Sequence, residues 1–182
     1  MPTVYVDTRD LRKLAKDLEK CPQMLHAATA AALNRTLTFI GAETKRQVAK
    51  EYAVKKSISK SVKKTRATPR NLTAIAEYTG KPIPVFVFKH SIAKNHQRSP
   101  VTVTIKNSNG ARTHDGSNPA MFGGYGKVMR REGGQKNIRT AYTVSIPQMV
   151  SNDEVYKVIA EKAQAKLYER MKHEVEWRMS KL

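Results

Sequence analysis

Acidic residues are scarce through the middle of this chain. Between residues 45 and 140 there are four, Glu51, Glu77, Asp115 and Glu132, against 21 lysines and arginines. Cysteine is nearly absent. Cys21 stands alone before Pro22, which excludes an intramolecular disulfide and any Cys-pair metal motif. It reads as a small, half-buried residue near a helix end. No run approaches ~20 consecutive apolar residues, so no membrane-spanning helix is expected. Met1 to Asp7 lacks a basic stretch followed by an apolar one, so no signal peptide is expected either. These absences point to a soluble protein made inside a cell, with a reducing interior or a virion as its setting.

What is present is positive charge. The formal net charge is +19 over 182 residues, and +17 of it lies between residues 45 and 140. The two ends together carry only +2. A field of this size repels copies of itself unless phosphates, an anionic surface or an acidic protein face lies nearby. The length fits one α+β domain with a real core. It divides into N-terminal helices over 1–52, a basic segment over 53–70, a β-rich core over 71–150 and a C-terminal helix over 151–182.

Val4-Tyr5-Val6 reads as an extended lead-in. Leu11, Leu14, Ala15 and Leu18 then mark one face of a first helix, capped by Asp7 or Thr8. Pro22 opens a second helix running toward Tyr52, roughly 45 Å if unbroken. Leu25, Ala28, Ala32, Leu33, Leu37, Ile40, Val48 and Tyr52 give it an apolar stripe, and Gly41 is where a bend is expected. In the basic segment, Val54, Ile58 and Val62 recur at i+4. That predicts a short amphipathic helix with one thin buried edge, with disorder of a like-charge block as the competing reading.

After Pro69 the pattern turns extended. Strands are predicted at Ile75–Thr79, at Val85–Phe88 (apolar on both faces, hence central) and at Val101–Ile105. Lys89 to Pro100 reads as a long protruding connection, and Asn107 to Pro119 as a loop. Tyr142, Val144 and Ile146 alternate with Ala141, Thr143 and Ser145 in a strand stopped by Pro147. A terminal helix begins at Ser151-Asn152-Asp153-Glu154. Its stripe, Val155, Ile159, Ala163, Leu167, Met171, Val175 and Met179, repeats every four residues and therefore winds around a straight helix. Asp153/Lys157 and Glu174/Arg178 are favourable i, i+4 pairs, and the near-neutral charge of this helix suggests contact with protein.

Catalytic patterns are missing. His26, His90, His96, His114 and His173 form neither HExxH nor a zinc spacing. His114-Asp115-Gly116 reads as a turn. Gly123-Gly124-Tyr125-Gly126-Lys127 lacks phosphate-loop spacing, so its glycines serve a turn or the close approach of another backbone. Residues 80–140 hold too few carboxylates for acid/base or two-metal work, so no enzyme activity and no cofactor or metal is expected. Tyr52, Tyr78, Phe86, Phe88, Phe122 and Tyr125 interleave with basic residues as single-strand stacking platforms do, yet Phe86 and Phe88 read as core. Phosphate contact needs only the lysines and arginines, and no sequence-reading motif is present.

Three stretches carry a resemblance. They are Ala30-Ala31-Ala32-Leu33-Asn34-Arg35-Thr36 with Lys45-Arg46-Gln47-Val48; Val54-Lys55-Lys56 through Lys63-Lys64-Thr65-Arg66-Ala67-Thr68; and Phe122, Gly126-Lys127-Val128-Met129-Arg130-Arg131, Ile138-Arg139 and Ser145-Ile146-Pro147-Gln148-Met149. Over roughly residues 25 to 180 the chain resembles the minor tail protein Z family of tailed bacteriophages and prophages, the lambda-type tail completion proteins. The family's Pro-Ile pair after the Arg is here Thr140-Ala141. The resemblance implies a virion structural protein that completes the tail and joins it to the head. It also implies a homo-oligomeric ring around the DNA channel, and no catalysis.

The expectations that follow are concrete. The fold is α+β, a small antiparallel sheet packed by a long N-terminal helix and a C-terminal helix. The protein resides in the tail or neck of a virion and in the host cytoplasm during assembly, with no membrane contact. Its ring, a hexamer, meets tail terminator, tail tube or connector proteins. Lys55, Lys56, Lys60, Lys63, Lys64, Arg66, Arg70, Lys127, Arg130 and Arg131 face DNA or an acidic partner, while Leu33, Leu37, Leu167 and Met171 contact sibling subunits. The alternative is a free-standing, non-specific nucleic-acid-binding packaging or chaperone protein.

Overall fold

The computed structural model describes residues 22–54, 62–93, 99–114, 121–124, 126–132 and 137–181. The expected lead-in at Val4–Val6, the first helix around Leu11–Leu18, Cys21, Lys55, Lys56, Ile58, Lys60, His96, Asp115, Tyr125 and Gly133-Gly134 lie outside the described residues. The fold is α+β, and the described residues form two long helices, one short helix and short antiparallel strands. The strands do not join into one sheet. Among the described residues they form two two-stranded and two three-stranded sheets.

The chain divides into two compact units that cut across the four consecutive segments read from the sequence. The first takes residues 1–47, 59–79 and 150–182, and the second takes 48–58 and 80–149.

Helix α1 (Pro22–Glu51), which belongs to the first unit up to Gln47, follows from the alanine-rich stripe and runs unbroken through Gly41. A single glycine inside a helix costs about 1 kcal/mol in propensity without forcing a bend, and the end of Lys64 lies where a Cβ on Gly41 would stand. Ala28 and Ala32 are fully buried, and their small side chains permit close packing. They join Ala30, Leu33, Ala67, Leu167, Met171 and Val175 in one apolar cluster. Each large member contributes about 1.5–3 kcal/mol by leaving water.

The basic segment is not helical where it is described. Val62–Thr65 is strand β1, paired antiparallel with β2 (Ile75–Tyr78) in the register Val62↔Tyr78 and Lys64↔Ala76. A helix would stack Lys60, Lys63 and Lys64 as like charges one turn apart, whereas β-branched Val62 and Thr65 suit a strand. The Tyr78 hydroxyl ties this pair to α1. It lies 2.7 Å from Thr44 Oγ1, which itself donates to the Ile40 carbonyl at 2.8 Å, so Tyr78 is the donor. Burial pushes the Tyr78 phenol above its ordinary pKa.

The closing helix of this unit keeps its predicted start. Asn152 caps it by accepting from the Glu154 N–H at 3.0 Å. The i+4 stripe from Val155 to Val175 is buried, while Met179 has wound out into solvent.

The second unit surrounds Val85, Val101, Val103, Val128 and Ala141. Val85–Phe88 is not a central strand. Pro82 and Pro84 sit in β3 (Pro82–Pro84), and Pro84, with its φ of −59°, leads into a 3-10 turn over Val85–Val87 closed by the Phe88 N–H on the Val85 carbonyl at 3.0 Å. Val85 and Phe88 are still buried, so the apolar signal was sound and the geometry was not.

The expected connection from Lys89 begins instead with β4 (Lys89–Ile92), paired to β5 (Val101–Thr104). The expected loop after Asn107 contains β6 (Arg112–His114), which pairs with β5. A glycine-centred hairpin follows. Strand β7 (Met121–Gly124) pairs with β8 (Lys127–Glu132), and Gly126 turns at φ 68°. At Gly123 another backbone does approach: its N–H donates to the Ser99 carbonyl at 2.8 Å.

Strands β9 (Asn137–Thr140) and β10 (Tyr142–Ser145) complete the unit. The expected alternation in β10 is only partly kept: Ile146 is buried as expected, but Ala141 and Ser145 are buried too, Tyr142 is exposed, and Thr143 and Val144 are half-buried alike. Pro147 does not merely stop this strand. It opens a short helix, α2 (Ile146–Val150), which precedes the long closing helix α3 (Asp153–Met179).

Candidate functional site: a cationic groove

The first unit contains a groove of about 590 Å³ lined by Asn34, Arg35, Thr38, Phe39, Ala42, Arg66, Lys166 and Arg170. Its construction follows from helical and strand periodicity. Asn34, Thr38 and Ala42 lie at i, i+4 and i+8 on α1, beside Arg35 and Phe39. Lys166 and Arg170 are i, i+4 on α3. Arg66 is the first residue after β1.

Asn34 holds the Arg66 wall in place. Its side-chain Nδ2 donates to the Ala67 carbonyl, and its Oδ1 accepts from the Ala67 N–H. Ala67 is 5% exposed and belongs to the apolar cluster, so Arg66 is carried on a segment anchored by both packing and hydrogen bonds. Lys64, two residues before Arg66, ends over Gly41, the neighbour of Ala42.

Of the groove's four cations, two have carboxylate partners. Arg35 Nε lies 3.1 Å from Glu174 Oε1 without being aligned to donate to it, and the other Glu174 oxygen is held by Arg178. Lys166 Nζ donates to Glu169 at 2.7 Å, and this bond holds the Glu169 carboxyl below its ordinary pKa. Arg66 and Arg170 form no ion pair within 4.0 Å among the described residues. The Glu169 carboxylate feels the Arg170 charge as well as Lys166, but neither arginine fork is closed by an ion pair there, and an open fork is suited to phosphate or carboxylate from outside.

The cations expected at the contact surface do not all reach one. Lys63, Lys64, Arg66 and Arg70 are exposed in the first unit, and Lys63 lies opposite Glu77 across the strand pair. Lys127 and Arg130 are exposed in the second unit, where Arg130 is in register with Arg139 across β8 and β9. Arg131 is a correction. It is 7% exposed, with its guanidinium over the Phe122 ring at 5.6 Å, so it is part of the interior and cannot meet DNA. Leu33, Leu37, Leu167 and Met171 are a second correction. All are buried inside the chain, Leu33, Leu167 and Met171 in the one apolar cluster where the two helices meet, and they offer no surface to a sibling subunit.

Arg35, Lys166 and Arg170 were missed because they lie outside the basic midsection, in stretches whose charge is balanced along the chain. The i, i+4 spacing of Lys166 and Arg170 was the available signal, as was Arg35 beside Asn34.

A smaller cavity of about 290 Å³ in the second unit has Val103, Ile105, Met121 and Val144 in its walls and Lys106, Arg112 and His114 among its polar residues. Lys106 is 3.6 Å from Glu51. Among the described residues no group of three His, Cys, Asp or Glu is placed to hold a metal ion, and no helix is long and apolar enough to cross a membrane. No protein-family model, curated protein or solved structure matches this chain.

Proposed function

We propose that the protein is a non-enzymatic structural component of a phage virion. It acts at the head-proximal end of the tail, in tail completion and head–tail joining. In this reading copies form a ring, a hexamer, around the DNA channel and meet tail terminator, tail tube or connector proteins. The observation that carries the proposal is the groove in which Arg66 and Arg170, which form no ion pair within 4.0 Å among the described residues, stand beside Arg35 and Lys166. A site of this kind is completed by an anion that assembly supplies. The Asn34–Ala67 pairing adds support, because it joins two of the stretches on which the tail-protein resemblance rests. With the apolar helix faces occupied internally, subunit contact in such a ring falls to other surfaces. Exposed Tyr142 and Ile138 in the second unit, and Tyr168 and Trp177 on α3 in the first, are the candidates.

The test is native mass spectrometry of the purified protein together with its detection in purified particles. Ring-sized oligomers and a fixed copy number per particle are expected. A strictly monomeric protein absent from particles overturns the proposal. The same groove favours a second reading, a free-standing non-specific nucleic-acid binder. That reading predicts binding to duplex DNA by a protein found outside particles.

A further inference from the structure

We propose that the groove of the first unit binds the phosphate backbone of double-stranded DNA, with Arg66 and Arg170 as its principal contacts and with Glu169 and Glu174 setting its strength. This rests on the reading of the protein as an assembly component facing an anion, and it identifies that anion.

The argument begins with the donors. Three of the groove's four cations are arginines, whose planar forks match phosphate oxygens. They converge from three separate stretches of chain, around residues 35, 66 and 166–170, so no single helix face or charge run accounts for them. The groove is also braced from behind. Asn34 fixes the backbone beside Arg66, and Glu43 locks α1 to α3 through Lys162. The cations therefore sit on two packed helices and an anchored strand end, positions that need little reorganisation to receive a backbone.

The remaining lining residues argue against base reading. The Thr38 hydroxyl is turned to the Asn34 carbonyl at 3.1 Å, and both polar groups of the Asn34 amide are taken by Ala67. No free side-chain amide remains to read an adenine edge, so the recognition left to the groove is that of its arginines and lysine, here assigned to phosphate oxygens. Two carboxylates temper it. Glu169 engages Lys166 and also feels the Arg170 charge, and Glu174 lies against Arg35, so only Arg66 of the four cations has no carboxylate acting on it among the described residues.

The experiment is a titration of the full chain with a random-sequence DNA duplex of about 30 base pairs across a series of salt concentrations. Arg66→Ala and Arg170→Ala should each lower the log–log salt slope by about one and weaken binding at every sequence alike. Glu169→Gln should do the reverse. Freed of its partner, Lys166 should tighten binding about two- to fivefold, a gain that a merely structural role cannot produce. Lys81→Ala, at an exposed lysine of the other unit, should leave the groove contribution unchanged. Circular dichroism checks that each variant folds.

Unchanged slopes in Arg66→Ala and Arg170→Ala, with folding intact, overturn the assignment. So does equal competition by poly-glutamate at matched charge, which would make the groove's partner an acidic protein. Neither result depends on whether the chain is found in particles, so this assignment can fail while the structural role stands.

Discussion

The side-chain amide of Asn34 holds the backbone of Ala67 at both of its polar groups, donating to the carbonyl and accepting from the N–H, each at 2.9 Å. The geometry is that of a strand partner supplied by a helix side chain. It is why an Asn on a helix of alanines matters to a segment 33 residues away.

Replacing Asn34 with Ala should therefore leave the Ala67 N–H and carbonyl partly buried without partners. A loss of about 1–3 kcal/mol is expected in urea unfolding. Asn34→Asp keeps the acceptor but loses the donor and sets a carboxylate beside the Ala67 carbonyl, so it should be intermediate or worse. If Asn34→Ala unfolds at the wild-type midpoint, the clamp is not structural.

Glu43 gives the protein an acid-sensitive brace. It is almost fully buried on α1, and Lys162 of α3 and Gln47 donate to one of its oxygens while Arg46 donates to the other. The Lys162 ammonium holds its carboxyl below the ordinary value of 4.5, against burial, which alone would raise it. The unfolded chain thus takes up the proton first. The stabilisation is whole above pH 4.5 and is lost as the pH falls through the lower folded-state value. Glu43→Gln should flatten that acid limb and lower stability at neutral pH by about 1–3 kcal/mol. Urea midpoints measured from neutral pH down into the acid range check both effects.

Gly41 offers the opposite sign. A Cβ there would meet only the end of the Lys64 side chain, 2.6 Å from Nζ and 2.9 Å from Cε, and that end is free to swing away. Gly41→Ala should stabilise α1, by up to about 1 kcal/mol from helix propensity. A fall in melting temperature would mean that Lys64 is held more firmly than its exposure suggests.

Gly123 should not tolerate the same change. A Cβ there would run into the branched side chain of Ile92, while the Gly123 backbone is bonded to Ser99. Gly123→Ala should destabilise by about 1–3 kcal/mol through overpacking. Gly126→Ala should also destabilise, for a different reason: it has open space around it but a φ of 68°. Comparing the two by thermal unfolding separates crowding from backbone strain. An unchanged melting temperature in Gly123→Ala would show that Ile92 can move aside.

The long elements were readable because their signals were periodic and extended. The Pro22 start of α1, the Asn152 cap and the buried stripe from Val155 to Val175 all follow from local rules. The misreadings have local causes. Val85–Phe88 is apolar enough for a strand, but Pro84 leads it into a 3-10 turn. Val62–Thr65 carries too few residues to distinguish an i+4 series from an alternation, and its pairing with Ile75–Tyr78 decides the matter. The groove was half legible. Arg66 was visible as part of a charge run, but Arg35, Lys166 and Arg170 become neighbours only when α1 packs on α3, a long-range relation that charge counted along the chain does not record. Arg131 shows the converse error, since a basic residue in a basic stretch was assumed to face outward and is buried against Phe122.

The most direct test of the central claim is an electron-microscopy map of the intact particle at a resolution that places Arg66 and Arg170. The account predicts this chain at the head–tail junction, with both guanidinium groups turned toward the DNA path. A map in which they face bulk solvent, or one in which the chain has no place in the particle, would contradict it.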